Sequence, residues 1–192
     1  MGLDSWHVAL LDANVLYPAP LRDLLMQVAV SDVFRAKWTA EIHREWIDAL
    51  LRNEPHRERA ALERTRDLMN RAAPDCLVRG YESLIPGLAL PDLDDRHVLA
   101  AAIKGRCDVI VTQNLADFPE KVLREHGVRA EHPDRFLCEH LRLAPEQFCS
   151  AVGKVRARLR SPAYSVRAYL DILVRQGLVE LCGKIEQHSE YL

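Results

Sequence analysis

The chain has 192 residues, 48% of them hydrophobic and 28% charged, with a formal net charge of −2. That composition can build a real core and fits one domain plus an extension, which excludes a disordered or fibrous chain and a protein that coats nucleic acid by bulk basicity. No apolar run reaches the roughly 18 residues of a membrane span, and no basic region followed by a long apolar stretch opens the chain, so a cytoplasmic protein without membrane partners is expected.

In chain order, His7 to Leu11 is a short apolar run that ends in Asp12 and reads as a buried strand. Residues 20 to 51 read as helical, with breaks near Ser31 and Thr39. Residues 56–73, rich in Arg, Glu, Leu and Ala, predict an exposed amphipathic helix ended by Pro74. A short strand is expected around Cys76 to Val78, then a loop marked by Pro86, Gly87 and Pro91. Asp95 to Lys104 predicts a helix with Val98, Leu99, Ala102 and Ile103 on one side and Gly105 as its C-cap. Asp108 to Thr112 is a β-branched run of the parallel-sheet kind. A helix over 120–126, Gly127 and a strand near Val128 to Ala130 follow. From Pro133 the pattern is helical only, with helices near 134–141, 145–159, 163–176 and 179–187. Strands alternating with helices predict an α/β sandwich on a short parallel sheet.

Charge is uneven. Residues 141–192 carry a net +3, and the earlier part is acidic. Lys154, Arg156, Arg158 and Arg160 spread over several helix faces, which suits a solvated surface as well as a polyanion or partner contact. The five cysteines form no C-x-x-C pair and read as reduced, buried small side chains, and the histidines show no H-E-x-x-H pattern.

Four acids sit where an acid is a poor choice for stability. Asp12 ends the first strand, and in open α/β sheets ligands gather outside the strands' carboxyl ends. Glu45 flanks the apolar stripe of Trp38, Ile42, Trp46 and Ala49, whereas Glu41 and Asp48 fall farther round toward solvent. A salt bridge to Arg44 or Arg52 is the structural alternative for Glu45. With Val98 placed at zero, Asp95 falls at about 60°, between Ala102 at about 40° and Leu99 at about 100°. Capping of the helix is satisfied by Asp94 and leaves an inward-facing Asp95 to be explained. Asp117 and Asn114 follow the second clear strand, where turn chemistry also favours both residue types. Carboxylates drawn together from four elements repel one another, and Mg²⁺ or Mn²⁺ relieves that repulsion and can activate a water on a phosphodiester.

Leu11 to Leu16, Ile42 to Glu45, Leu93 to Ala102 and Ile110 to Phe118 resemble, in order and spacing, the motifs of the PIN-domain family. The resemblance covers residues 7 to about 136. It implies a three-layer α/β/α sandwich and a metal-dependent ribonuclease of the kind found as VapC-type toxins of bacterial toxin–antitoxin pairs. On that resemblance Asp12, Glu45, Asp95 and Asp117 are the catalytic acids and ligands of Mg²⁺ or Mn²⁺. Asn114 stands where family members have Asn or Asp, and Thr112 orients the site by hydrogen bonding; Asp92 and Asp94 carry no fixed family role but are expected to assist nearby, and Arg96 or Lys104 are the basic groups expected to hold the RNA backbone. RNA is the implied substrate, an antitoxin the implied partner, and a homodimer is compatible. The expected division is a nuclease domain over residues 1–138 and an all-helical C-terminal extension over 139–192, longer than in minimal members.

Two rival functions fit parts of the same pattern. One is a non-catalytic PIN-like module that binds RNA or protein. The other is a metal-dependent phosphatase with an aspartate nucleophile, which usually has a second Asp two residues on, where this chain has Asn14.

Overall fold

The computed structural model describes residues 7–160 and 163–187. The elements are β1 (Val8–Leu11), α1 (Ala13–Leu16), α2 (Ala19–Val30), β2 (Arg35–Lys37), α3 (Ala40–Asn53), α4 (Arg59–Ala72), α5 (Arg96–Lys104), β3 (Val109–Val111), α6 (Glu120–Arg124), β4 (Arg129–Glu131), α7 (Pro133–Leu143), α8 (Pro145–Arg158), α9 (Val166–Val174) and α10 (Val179–Glu186). Short 3-10 turns cover Glu82–Gly87 and Leu115–Asp117. The chain forms two compact units, one of residues 1–17 and 35–132, the other of residues 18–34 and 133–192.

The first unit is an α/β sandwich on a four-stranded, all-parallel sheet of order β2-β1-β3-β4. Ala9, Leu10 and Leu11 pair with Val109, Ile110 and Val111, and all six are fully buried. Such two-face burial explains why both central strands read as unbroken apolar runs. Each large aliphatic side chain removed from water there is worth about 1.5–3 kcal/mol. The outer strands, Arg-Ala-Lys and Arg-Ala-Glu, carry charge, as edges do. Asp108 fastens the amino ends: Val8 N donates to its Oδ2 at 2.8 Å and its own N donates to Val8 O at 2.8 Å.

Strand β2 overturns the reading of 20–51 as helix with breaks. Its three residues hold no alternation to detect, and only pairing with β1 makes them a strand. The strand expected at Cys76 to Val78 is instead a single bridge, Leu77 opposite Trp38. Residues 56–58 precede α4 rather than belong to it, and part of the expected Pro86 loop winds into a 3-10 turn.

Gly105 closes α5, but not as a left-handed cap. Its φ is −75°, and Arg106 beyond it takes the positive φ of 52°. Glycine is needed for space, since a Cβ would lie 2.9 Å from Val78 Cγ2, 3.0 Å from Ala101 O and 3.1 Å from Cys107 Sγ. Gly105→Ala is expected to lower stability by about 1–3 kcal/mol, read from urea unfolding midpoints. An unchanged midpoint contradicts this packing.

The second unit is helical. Ser165 caps α9 by accepting from Ala168 N at 3.2 Å, and Asp134 takes the first amides of α10, Glu180 N at 2.9 Å and Leu181 N at 2.8 Å. Phe34, Phe136 and His140 stack edgewise. Arg156 donates to Tyr164 O at 3.1 Å and Arg158 to Gln27, so two of the alternating cations bond within the unit. All five cysteines are free and buried, and burial pushes the Cys107 and Cys182 thiols up to about 12, which makes them poor nucleophiles. Among the described residues, no helix is long and apolar enough to cross a membrane.

Candidate metal centre

Strand order places a switch point between β1 and β3, since the chain leaves β1 toward one edge and β3 toward the other. Asp12 and Thr112 stand at the carboxyl ends of these two strands. Asp12 is also the N-cap of α1, with Oδ1 accepting from Ala13 N at 2.6 Å. Its Oδ2 accepts from Asn14 Nδ2 at 2.6 Å and from Thr112 Oγ1 at 2.8 Å. The fully buried Thr112 hydroxyl accepts in turn from Asn14 Nδ2 at 2.8 Å and Asn114 N at 3.1 Å. Asn14 Oδ1 closes the network by accepting from Gln113 N at 3.0 Å. Burial raises the Asp12 pKa despite these bonds from Thr112 and Ala13, and the charge of Glu45 adds to the rise.

Asp95 occupies the N-cap position of α5, yet its side chain makes no capping bond. The capping expected of Asp94 is not made either. Asp94 is exposed, and its backbone N donates to Asp92 Oδ1 at 2.8 Å, which folds the preceding loop. The half-buried Asp95 carboxylate is thus free to face its neighbours. Asp92, Asp95 and Asp117 each offer an oxygen within 4.8 Å of the others. Asn114 Nδ2 donates to Asp117 Oδ2 and orients that member. The Asp95 pKa is raised to about 7, first by burial, then by the charges of Asp12, Asp117 and Asp92. Like charges crowd on Asp95 from both sides.

Glu45 sits on α3 between His43 and Trp46, whose burial fixes its direction. Trp46 Nε1 donates to His43 Nδ1 at 2.9 Å, and His43 Nε2 lies 3.1 Å from Asn70 Oδ1, which Trp38 Nε1 also donates to at 2.7 Å. Neither Arg44 nor Arg52 pairs with Glu45 among the described residues. Its partner is the buried His97, Nε2 to Oε1 at 2.9 Å, and His97 Nδ1 lies 3.7 Å from Glu41. Burial opposes charge on His97, but the Glu45 hydrogen bond and the charges of Glu45, Glu41 and Asp12 outweigh it and raise its pKa. Glu41, expected to face solvent, is no more exposed than Glu45, at 32% against 37%, and it accepts from Tyr81 OH at 3.2 Å.

Asp12, Glu45 and Asp95 line one cleft of about 440 Å³, with Arg52, Asn53 and Tyr17 on its wall. The four expected acids, joined by Asp92, therefore fall into two groups that share Asp95: Asp12, Glu45 and Asp95 in the cleft, Asp92 and Asp117 beside Asp95. The donor set is all carboxylate oxygen, and burial first, then the charges of Asp12, Asp117 and Asp92, push the Asp95 pKa up. A hard divalent cation fits both facts.

The expected RNA contacts divide. Arg96 stays next to Asp95, but its Nε donates to Leu93 O at 2.9 Å. Lys104 ends α5, about 13 Å along the helix from Asp95, and lies by Gly80. Sequence reasoning passed over Asn14 and His97, which bond directly to Asp12 and Glu45. A signal for His97 existed in a polar residue two positions beyond Asp95 on a helix whose neighbours are buried.

A parallel sheet with carboxylates gathered near the carboxyl ends of its central strands defines an α/β domain with a candidate cation site at its switch point. Residues 8–116 match the PIN domain family, and the chain belongs to it. Residues 133–187 match the VapC50 C-terminal domain. The chain is 40% identical over 98 residues to the Mycobacterium tuberculosis (strain ATCC 25618 / H37Rv) protein named "Putative ribonuclease VapC50". That match spans 50% of this chain and 57% of the relative's length. No solved structure matches the chain.

Proposed function

We propose that this protein is a metal-dependent endoribonuclease, the toxin of a bacterial toxin–antitoxin pair. The observation that carries the reading is the meeting of Asp12, Glu45 and Asp95 in one cleft, with Asp92 and Asp117 against Asp95. The ribonuclease name of the relative and the match to the VapC50 C-terminal domain support it.

In this proposal Asp12, Glu45, Asp95 and Asp117 hold one or two Mg²⁺ or Mn²⁺ ions, with Asp92 as a further oxygen donor. Such an ion, when bound, activates a water and neutralises charge on the phosphoryl oxygens. The protein's part is to keep the carboxylates fixed and ionised. Thr112 and Asn14 hold Asp12 in one rotamer, Asn114 holds Asp117, and His97 holds Glu45. The water oxygen bonds to phosphorus, the bond to the 3′-oxygen breaks, and that oxygen takes up a proton, leaving a 5′-phosphate and a 3′-hydroxyl. An aspartate nucleophile is disfavoured, because Asn14 stands where such a site usually has its second Asp. Chemistry is assigned to the part up to about residue 138, and antitoxin contact in the cytoplasm to the helices beyond.

The test is a mixed RNA pool incubated with purified protein and Mn²⁺ or Mg²⁺, with and without EDTA. Discrete cleavage that EDTA abolishes is expected. RNA binding without cleavage, unchanged by EDTA, overturns the enzyme reading in favour of a binding module.

A further inference from the structure

The acidic cleft has one wall that is not acidic. We propose that Arg52 and Tyr17 on this wall form a nucleotide subsite for single-stranded RNA: Arg52 takes a backbone phosphate beside the acids, and the Tyr17 ring stacks on an unpaired base. The inference rests on the ribonuclease reading and names the form of RNA that this site accepts.

Arg52 is the basic side chain among the residues lining the cleft. It is exposed, and no ion pair engages it among the described residues. Other arginines of α3 and the segment after it are already paired: Arg44 with Glu41 at 2.7 Å, Arg57 with Glu54 at 2.8 Å and Arg59 with Asp48 at 2.6 Å. A guanidinium left uncommitted at the mouth of a carboxylate cleft supplies the attraction that a phosphate needs to approach Asp12, Glu45 and Asp95.

Tyr17 follows α1 directly, so its backbone is tied to the helix that Asp12 caps; its N donates to Ala13 O at 2.9 Å. Asn53, next to Arg52, donates from Nδ2 to Tyr17 OH at 3.0 Å. That bond fixes the aromatic ring and the arginine's stretch of helix in one frame on the cleft wall. A positioned ring beside a phosphate-binding cation is how proteins hold an unstacked base. A duplex keeps its bases stacked inside and offers no base to Tyr17.

The test uses Arg52→Ala, Arg52→Lys, Tyr17→Ala and Tyr17→Phe in the full chain, each first shown to melt like wild type. Cleavage of a single-stranded RNA is followed with Mn²⁺, and binding is followed in the Asp95→Asn background as salt is raised. Arg52→Ala is expected to raise KM about 10-fold with kcat changed less than about 3-fold, and to cut the log–log salt slope by about 0.7. Arg52→Lys recovers most of this. Tyr17→Ala weakens single-stranded binding about 10-fold and leaves duplex binding unchanged, whereas Tyr17→Phe stays near wild type. Wild-type cleavage with KM and salt slope unaltered in Arg52→Ala and Tyr17→Ala overturns the subsite and leaves the nuclease intact. Absent cleavage, with single-stranded binding still lost in both variants, overturns the nuclease and leaves the subsite. Absence of RNA binding by the wild type overturns both.

Discussion

Asp95→Asn is expected to lower metal-dependent RNA cleavage by about 10²–10³-fold and, in the metal-free protein, to raise stability at pH 8. Asp95 is the member shared by both acidic groups, so in the proposed site its charge is central to cation binding. The same charge is a liability without a cation. Its folded pKa, about 7, lies above the unfolded value of 3.8. A raised carboxylate contributes its stability fully below the unfolded pKa and loses it as pH rises through the folded one. The metal-free wild type should therefore lose stability between about pH 4 and pH 7. Asparagine removes that loss, worth about 1–2 kcal/mol after solvent screening at a half-buried site. Thermal melting in EDTA from pH 4 to pH 8 checks it. A wild type and variant that run parallel across this range contradict the crowding of charge on Asp95. Mn²⁺ should bind the wild type more tightly as pH rises toward 7, because binding displaces the proton on Asp95.

Thr112→Val carries the second large effect. The change is close to isosteric, but it deletes one donor to Asp12 and one acceptor for Asn14 and Asn114. Thr112 is fully buried, so water cannot replace these bonds. A cost of about 2–3 kcal/mol is expected, which lowers Tm by about 5–10 °C. Asp12 then loses the hydrogen bond that most holds its pKa down, so Mn²⁺ affinity should fall as well. Thr112→Ser keeps the hydroxyl and should restore both. Calorimetric melting and Mn²⁺ titration of the three proteins decide the matter. A Val variant with normal metal affinity contradicts the role given to this network.

The central strands were legible as unbroken apolar runs, and the cleft's three acids because each broke a local rule. Asp12 ends an apolar run, Glu45 interrupts the flank of an apolar stripe, and Asp95 points along the buried face of α5. What escaped was decided by tertiary contact. Strand β2 has no pattern of its own and exists by pairing with β1. Asn14 read only as the lack of a second aspartate, yet its Nδ2 donates to both Asp12 and Thr112 while its Oδ1 accepts from Gln113 N. His97 lies off the apolar stripe, so periodicity gives it no role; packing brings it to Glu45. Lys104 looked suitable by charge alone, but helix rise carries it away from the acids, while Arg52 is delivered to the cleft by α3.

In the proposed mechanism these carboxylates support hydrolysis by an activated water rather than attack by the RNA's own 2′-hydroxyl. The most direct measurement is the chemistry of the ends left by cleavage in Mn²⁺, read by end-specific labelling and mass spectrometry. Ends carrying 5′-phosphate and 3′-hydroxyl are expected. Products ending in 2′,3′-cyclic phosphate and 5′-hydroxyl would contradict this mechanism and recast the acids and His97 as metal-free general acid–base groups.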